Sequence, residues 1–359
     1  MRNNALSVFL MFAASCSLTA LAQKENCDSI DFWSVIKQVE TNYAGFPTMV
    51  TSENHDDYES MKTKLFNQIT SGERKGYDAA CEYLAWFKDY HLSSPYSQKY
   101  LSYPDYSSIE YSPKFVSSQV DQDTYLLRVP TFRGDSVVIE QIKKGVEDYN
   151  NSKCKNLIID LRGNTGGVDY SFDPLLEIIY SHPFTIDGAE ILATPEISKF
   201  IRDTYIEQGH IPEWAPVVAD LIDEGKSQFV SIPEVGDKEI VFDTIYQLPK
   251  KVALIIDGYV ASSAEQFIIE SVASSDKVTL YGKDNTMGAV DFGNLRRFDM
   301  ACSCLTIFIP TTRSKRLSRG ISYDRKGIEP DVRLDLPLPR QLTDNIDEWV
   351  IWVARQMKQ

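Results

Sequence analysis

Two segments of this chain carry residue types at spacings that suit acyl-transfer chemistry. In Val252 to Glu265, VALIIDGYVASSAE, a strand-length apolar run ends at Asp257-Gly258. A short loop then leads to Ser262-Ser263 and a helix-like segment from Ala264 to Val272. A serine where a strand turns into a helix lies at a helix N-terminus, where unpaired N–H groups and the positive dipole end favour negative charge. The oxyanion of acyl transfer needs that environment. The same serines also fit the capping box S-x-x-E, with Glu265 as its acidic member, in which the serine only caps the helix. The second segment is Asn156 to Gly167, NLIIDLRGNTGG. Its glycines let backbone approach a ligand closely or present N–H groups to an anion, a plain tight turn being the alternative. Walker and dinucleotide spacings are both absent from it.

A serine hydroxyl attacks only when a base takes its proton. Histidine suits that task near neutral pH, and the chain has four: His55, His91, His182 and His210. His55 lies in a polar loop, His182 precedes Pro183 at a helix end, and His210 falls in an inserted segment. His91, in Asp89-Tyr90-His91, is the candidate base; an ordinary histidine at a helix C-terminus is its alternative. A metal site is not expected. Cys302 and Cys304 share a face of a strand, but without a C-x-x-C partner or a nearby histidine they read as core residues or as part of a disulfide.

The elements that must position these residues follow from periodicity. Ile30 to His91 carries apolar residues at helical spacing in FWSVIKQVETNY, DYESMKTKLFNQI and YDAACEYLAWF. Sequence rich in Tyr, Ser and Pro from Leu92 to Pro113 marks a boundary. Beyond it, TYLLRVPTF and NLIIDL read as strands, with a helix between them capped by Asp135 or Ser136. PLLEIIY follows as a helix, then VALII, the serine helix and VTLYG. This alternation predicts an α/β fold with a mostly parallel sheet. Residues 190–248 interrupt it with two helical patterns, SKFIRDTYIEQ and PVVADLIDEG, and read as a lid or substrate-selecting insertion. Phe200 and Trp214 there line an apolar subsite or, more simply, pack locally. The expected division is a helical domain over 23–95 and an α/β core over 96–359.

The net charge of −14 argues against a nucleic-acid partner, which would need clustered Lys and Arg. Arg2, an apolar core from Ala5 to Ala14 and Ala20-Leu21-Ala22 read as an export signal over 1–22. The expected location is therefore periplasmic, outer-membrane-associated or secreted. Lipidation at Cys16 is a lesser alternative, and no stretch is long and apolar enough for a transmembrane span. After cleavage five cysteines remain, Cys27, Cys81, Cys154, Cys302 and Cys304, so at least one stays unpaired within the chain.

FKDYHLSS (Phe87 to Ser94), IIDLRGNTGG, VASSAEQF (Val260 to Phe267), KVTLYGKDNTMG (Lys277 to Gly288) and GIEPDV (Gly327 to Val332) together resemble the tail-specific (C-terminal processing) serine proteases. Within that family the order and combination are most similar to the branch of the tricorn core protease and the interphotoreceptor retinoid-binding repeats. The resemblance implies a ClpP/crotonase-like core and no cofactor. It implies Ser262 as nucleophile, with Ser263 as the alternative. It also implies an oxyanion hole from the Ser263 N–H and a glycine of the Gly166-Gly167 pair. The lysine that many relatives carry after the T-x-G turn is absent: Ala289 follows Thr286-Met287-Gly288, and Lys283 lies on the wrong side of the turn. The resemblance therefore points to a histidine base, His91, oriented by a carboxylate. Asp324 is the expected one, with Glu329 and Asp331 as competitors. The tricorn-like pattern has serine where this chain has Tyr90. The stretch between His91 and Tyr111 is too short for the PDZ domain of many relatives.

Three functions fit. An exported serine peptidase acting on peptides or proteins is the first. A non-catalytic module binding apolar ligands on the same fold, as the missing lysine would suit, is the second. A hydrolase of non-peptide esters or amides is the third.

Overall fold

The computed structural model describes residues 27–206, 213–233, 235–300, 302 and 305–359. The export segment, Cys16, His210 and Cys304 lie outside the described residues. The chain divides into two compact units. The first comprises Met1–Ser102, Ile191–Val230 and Asn294–Arg313; the second comprises Tyr103–Glu190, Ser231–Gly293 and Ser314–Gln359.

The first unit holds the helices expected near the N-terminus, over 27–42, His55–Thr70 and Gly76–Trp86. Their apolar faces meet in a cluster of rings in which Tyr43, Tyr58, Tyr83 and Phe87 are buried. The larger part of the inserted segment, Ile191–Val230, belongs to the same unit, and its remainder to the second. The segment supplies the helices Pro195–Ile201 and Trp214–Asp223, and two short strands, Ala189–Leu192 and Phe229–Ser231. These strands extend a sheet with a long hairpin, Phe292–Asp299 and Thr306–Ser314, in the order Phe292–Asp299, Thr306–Ser314, Ala189–Leu192, Phe229–Ser231. The insertion is thus not purely helical. Three- and four-residue strands are too short to show a period. Within the unit, Thr194 Oγ1 donates to Asn42 Oδ1 (2.8 Å), Ala44 N to Pro310 O (3.0 Å), and Cys27 is bonded to Cys302. Cys81 and Cys154 are free and buried. The Phe200 ring packs under the Arg296 guanidinium at 3.3 Å, and the Trp214 helix buries Ala215, Val218, Ala219 and Ile222, as local packing requires.

The second unit is the α/β core. Its six-stranded sheet has the order Val332–Arg333, Val278–Gly282, Lys251–Ile256, Asn156–Asp160, Thr124–Arg128, Val116–Gln119. Every pairing is parallel except the last, a hairpin. A parallel sheet is covered on both faces, which is why its strands read as unbroken apolar runs. Alternation divides each run between two cores. Leu127, Leu157, Ile159, Leu254 and Ile256 face one, packed with Phe132, Phe172 and Phe267. Leu126, Ile158, Ala253 and Ile255 face the other, packed with Trp349, Val350 and Val353 of the Glu348–Gln356 helix. Burying each large aliphatic contributes roughly 1.5–3 kcal/mol, so the two-sided sheet is the main source of this unit's stability. Parallel neighbours need crossovers. Helix Ser136–Ser152 links Thr124–Arg128 to Asn156–Asp160, and helix Ser263–Ser274 links Lys251–Ile256 to Val278–Gly282. Asp135 caps the former through Val138 N. Among the described residues no helix is long and apolar enough to cross a membrane.

Candidate active site

The strands Asn156–Asp160 and Lys251–Ile256 are parallel neighbours, with Asp160 paired to Ile255. The loops that leave their carboxyl ends, 161–167 and 257–262, therefore emerge side by side. Clefts beyond the carboxyl ends of such strands are where α/β folds bind ligands.

Ser262 stands at the last position before the Ser263–Ser274 helix with φ 57° and ψ −127°. An ordinary capping serine has a β-region backbone. Ser262 forms the capping box with Glu265 that its sequence allows, but its backbone departs from that region, in a sharp strand-to-helix turn of the kind that lifts a side chain clear of the sheet. A non-glycine residue in such a region costs about 1–3 kcal/mol and persists only where its surroundings enforce it. Here the enforcing contacts run through Glu265. Glu265 Oε2 accepts from Ser262 N (3.2 Å) and from Ala289 N (2.7 Å). Its Oε1 accepts from Gly288 N (2.8 Å) and from the Thr286 hydroxyl. Burial pushes the Glu265 carboxyl up, against the pull of those four donors. Met287 N donates to Val260 O (2.8 Å) and Thr286 Oγ1 accepts from Ile328 N (2.7 Å). Glu265 thus ties the T-x-G turn to the start of the serine helix, and the Ala289 N–H is one of its ligands. Lys283 turns elsewhere, donating to Leu336 O at 2.8 Å.

The glycine loop lies directly against Ser262. A Cβ placed on Gly166 would sit 2.8 Å from Ala261 O, Ser262 Cβ and Ser263 N, and its φ of +91° already disfavours a side chain. One on Gly167 would meet Phe132 O at 2.2 Å. Asn164 folds the loop. Its Nδ2 donates to Val129 O (2.9 Å), its Oδ1 accepts from Gly166 N (2.9 Å), and its carbonyl accepts from Ala261 N (3.1 Å). The Gly166 N–H is therefore engaged inside its own loop. Thr165 and Gly167 are exposed and Ser262 is half-buried. Ser263 is buried.

Asp324 is buried, and its Oδ1 accepts from Val290 N and Asp291 N, both at 2.8 Å. Asp291 reciprocates: its Oδ2 accepts from Ser322 Oγ (2.8 Å), Tyr323 N (2.8 Å) and Asp324 N (3.0 Å). The competitors are otherwise engaged. Asp331 Oδ2 accepts from Leu280 N (2.8 Å), and Glu329 is paired with Arg333 on the surface (2.8 Å).

In the first unit, His91 lies five residues beyond Trp86, the last residue of its helix, so it is not a C-terminal dipole residue. It is half-buried. Asp89, fully buried, shapes this bend: Oδ1 accepts from His91 N (2.8 Å) and Oδ2 from Tyr43 OH (2.7 Å). Burial raises the Asp89 pKa, with the nearby His91 charge acting against it. His55 is exposed and His182 is a surface residue 3.6 Å from Asp276. Ser262, Ser263, Gly166, Gly167 and Asp324 all belong to the second unit.

Asp257 was not among the expected site residues, since an Asp-Gly pair after a strand reads as a turn. It is wholly buried, and burial raises its carboxyl to about 6, against hydrogen bonds that lower it. A folded chain with that value takes up a proton between about pH 6 and pH 4 that the unfolded chain does not. Its contribution therefore favours the folded state more as pH falls through that window. The unfolding free energy of wild type minus that of Asp257→Asn is expected to rise by about 2–3 kcal/mol between pH 7.5 and pH 4. Urea titrations across pH measure it; a flat difference contradicts the raised value.

Residues 123–334 match the profile of Peptidase family S41. No curated protein matches the chain. Among solved structures, mature CPAF complexed with lactacystin superposes with a TM-score of 0.63 at 11% identity, covering 92% of this chain and 97% of that one. A putative peptidase from Parabacteroides merdae ATCC 43184 superposes with a TM-score of 0.55 at 16% identity, covering 87% and 90%. The profile match spans more than half of the chain, which therefore belongs to Peptidase family S41, the tail-specific serine-type peptidases.

Proposed function

We propose that this protein is an exported serine peptidase in which Ser262 is the nucleophile and His91 the base. Ser262 Oγ attacks a peptide carbonyl carbon as its proton passes to the His91 imidazole. The carbonyl oxygen becomes an oxyanion held by backbone N–H groups. Collapse breaks the C–N bond, and the imidazolium returns its proton to the leaving amine. Water, activated by the same imidazole, then releases the acyl group. Asp324 is assigned the orienting role.

The observation that carries this reading is the backbone of Ser262, held at φ 57° at a helix N-terminus with Gly166 packed against it. Two details refine it. Ser263 is buried whereas Ser262 is half-buried, which favours Ser262 over Ser263 as nucleophile. The Gly166 N–H is engaged with Asn164, which favours Gly167 as the second oxyanion donor beside Ser263 N. The positions of Ala289 and Lys283 speak against a lysine base. The Cys27–Cys302 bond supports an oxidising compartment and hence export.

A fluorophosphonate probe tests the reading: labelling that disappears in Ser262→Ala and in His91→Ala supports it. Absence of labelling together with saturable binding of a fluorescent fatty acid would favour the apolar-ligand module. Turnover of small esters without turnover of casein peptides would favour the non-peptide hydrolase. A further expected result concerns Gly166→Ala. Its added methyl must displace Ser262 or Ser263, so labelling should slow about 10²-fold, the effect of a displacement near 1 Å. Stability should fall by about 1–3 kcal/mol from the positive φ. Labelling at the wild-type rate would show that the loop does not constrain the serine.

A further inference from the structure

Asp257 bridges the two loops that meet at Ser262. Its Oδ1 accepts from Tyr259 N (3.0 Å), in its own loop, and from Gly163 N (3.2 Å), in the glycine loop. Its Oδ2 accepts from Tyr111 OH (2.6 Å). Around it, Tyr106 OH accepts from Gly258 N (3.2 Å), Tyr259 OH donates to Pro104 O (3.1 Å), and the Tyr106 and Tyr111 rings stack 4.8 Å apart. The carboxylate is therefore sealed from water by a wall of tyrosines, with both oxygens occupied. A buried ion pair partner does not account for it, since the neighbouring Arg162 is committed to Asp160 and Asp347. What Asp257 joins is specific: the residue three before Gly166 and the residue three before Ser262. Beyond this bridge, the only other backbone tie between the loops among the described residues is Ala261 N to Asn164 O.

We propose that Asp257 is a positioning residue for acyl transfer: its carboxylate clamps the glycine loop to the serine loop and so fixes the N–H groups of Gly167 and Ser263 relative to the Ser262 hydroxyl. The clamp acts through Oδ1, and it rests on the reading of Ser262 as nucleophile. It contributes nothing to substrate contacts, so its loss falls on the rate of the chemical step and not on KM.

Three variants of the full chain separate the clamp from simple structural support. Asp257→Ala removes it. Asp257→Asn retains an Oδ1 that accepts from both N–H groups, and its Nδ2 can donate to Tyr111 OH. Asp257→Ser keeps a hydroxyl that can accept from Tyr259 N in the local turn but is too short to reach Gly163. Fluorophosphonate labelling and p-nitrophenyl acetate hydrolysis are measured per folded molecule. The expected result is a kcat about 10² lower in the Ala and Ser variants with KM unchanged, and a kcat within a few fold of wild type in Asn. Hydrogen exchange followed by mass spectrometry should show faster exchange of residues 161–168 in the Ala and Ser variants, with Asn like wild type and the core of the Ser263–Ser274 helix unaltered. A kcat per folded molecule equal to wild type in Asp257→Ser, or an Asn variant as slow as Ala, overturns the proposal. If wild-type labelling does not depend on Ser262, the nucleophile assignment fails by itself. In that case the clamp is judged on exchange alone, and unaltered exchange in Asp257→Ser overturns it.

Discussion

Replacing Ser262 by alanine is expected to lower peptide hydrolysis by roughly 10⁴–10⁶-fold while leaving the fold intact. The magnitude follows from the division of labour in acyl transfer. Without the hydroxyl there is no acyl-enzyme, and only the oxyanion donors and binding remain to assist water. The fold survives because alanine loses only the hydroxyl's half of the capping box, about 0.5–2 kcal/mol, while Ser262 N still donates to Glu265 Oε2 and Gly166 packs against the Cβ that alanine keeps. The positive φ is equally unfavourable for serine and alanine, so the melting temperature should fall only by the few degrees that the lost cap is worth. Ser262→Gly relieves that φ and should be inactive yet no less stable than Ser262→Ala. His91→Ala should fall to a similar level, and the double variant should be no worse than either single one, because a nucleophile and its base act as a unit. Ser263→Ala is the internal control. Its proposed role runs through its N–H, which alanine retains, so a loss under about tenfold is expected. Substantial hydrolysis by Ser262→Ala, or wild-type rates after deletion of the His91 imidazole, would end this mechanism.

The α/β core was legible because a sheet buried on both faces writes itself into sequence as unbroken apolar runs. VALII and NLIID carry that signature, and each is a strand. The serine helix was legible through its S-x-x-E start. The long hairpin Phe292–Asp299 and Thr306–Ser314 went unread for the opposite reason. Its first strand, FGNLRRFD, has only Phe292 buried, so charged residues mask its period. Residues that work across large sequence separations were also hidden. Asp257 reaches Gly163 from 94 positions away, and nothing in an Asp-Gly turn announces that the carboxylate points inward. Glu265 looked like half of a capping box. It does receive the Ser262 N–H, but it also receives Gly288 N and Ala289 N, a role that only the folded T-x-G turn creates. The glycine pair could be narrowed only in three dimensions, where Asn164 engages one N–H and leaves Gly167 at the surface.

Removing the Asp347 carboxylate should destabilise the α/β unit by about 3–5 kcal/mol, the largest effect on stability expected of any single polar side chain in it. Asp347 belongs to a cluster with Arg128, Arg162 and Asp160, all four almost fully shielded from water. The Asp347 Oδ2 accepts from Arg128 Nη2 and Arg162 Nη2, both at 2.7 Å, and Oδ1 accepts from Arg162 Nη1 at 3.2 Å. Asp160 accepts from Arg128 Nε at 2.7 Å and from Arg162 Nε and Nη2 at 2.9 and 2.7 Å. Two positive and two negative charges close on themselves, so burial is tolerated only while all four are present. Asp347→Ala leaves two guanidinium groups facing one carboxylate, and it also removes the cap on Trp349 N (3.0 Å) at the helix that covers one face of the sheet. At about 2–4 °C per kcal/mol for a unit of this size, the melting temperature should drop by roughly 10 °C. Arg128→Met combined with Asp347→Leu should cost less than Asp347→Ala alone, because the pair is then removed together and apolar atoms fill the space. The same cluster sets an acid limit. Burial alone would push Asp160 up, but Arg162 and Arg128 outweigh it and hold the carboxyl well below the usual carboxylate range. Its stabilisation is therefore complete above about pH 4 and is lost as pH falls further toward its lowered pKa. Urea unfolding followed by the fluorescence of Trp349, whose ring lies 5.2 Å from the Arg162 guanidinium, reads both effects. A loss under 1 kcal/mol for Asp347→Ala would mean that water reaches the arginines and that the cluster does not anchor the start of the glycine loop.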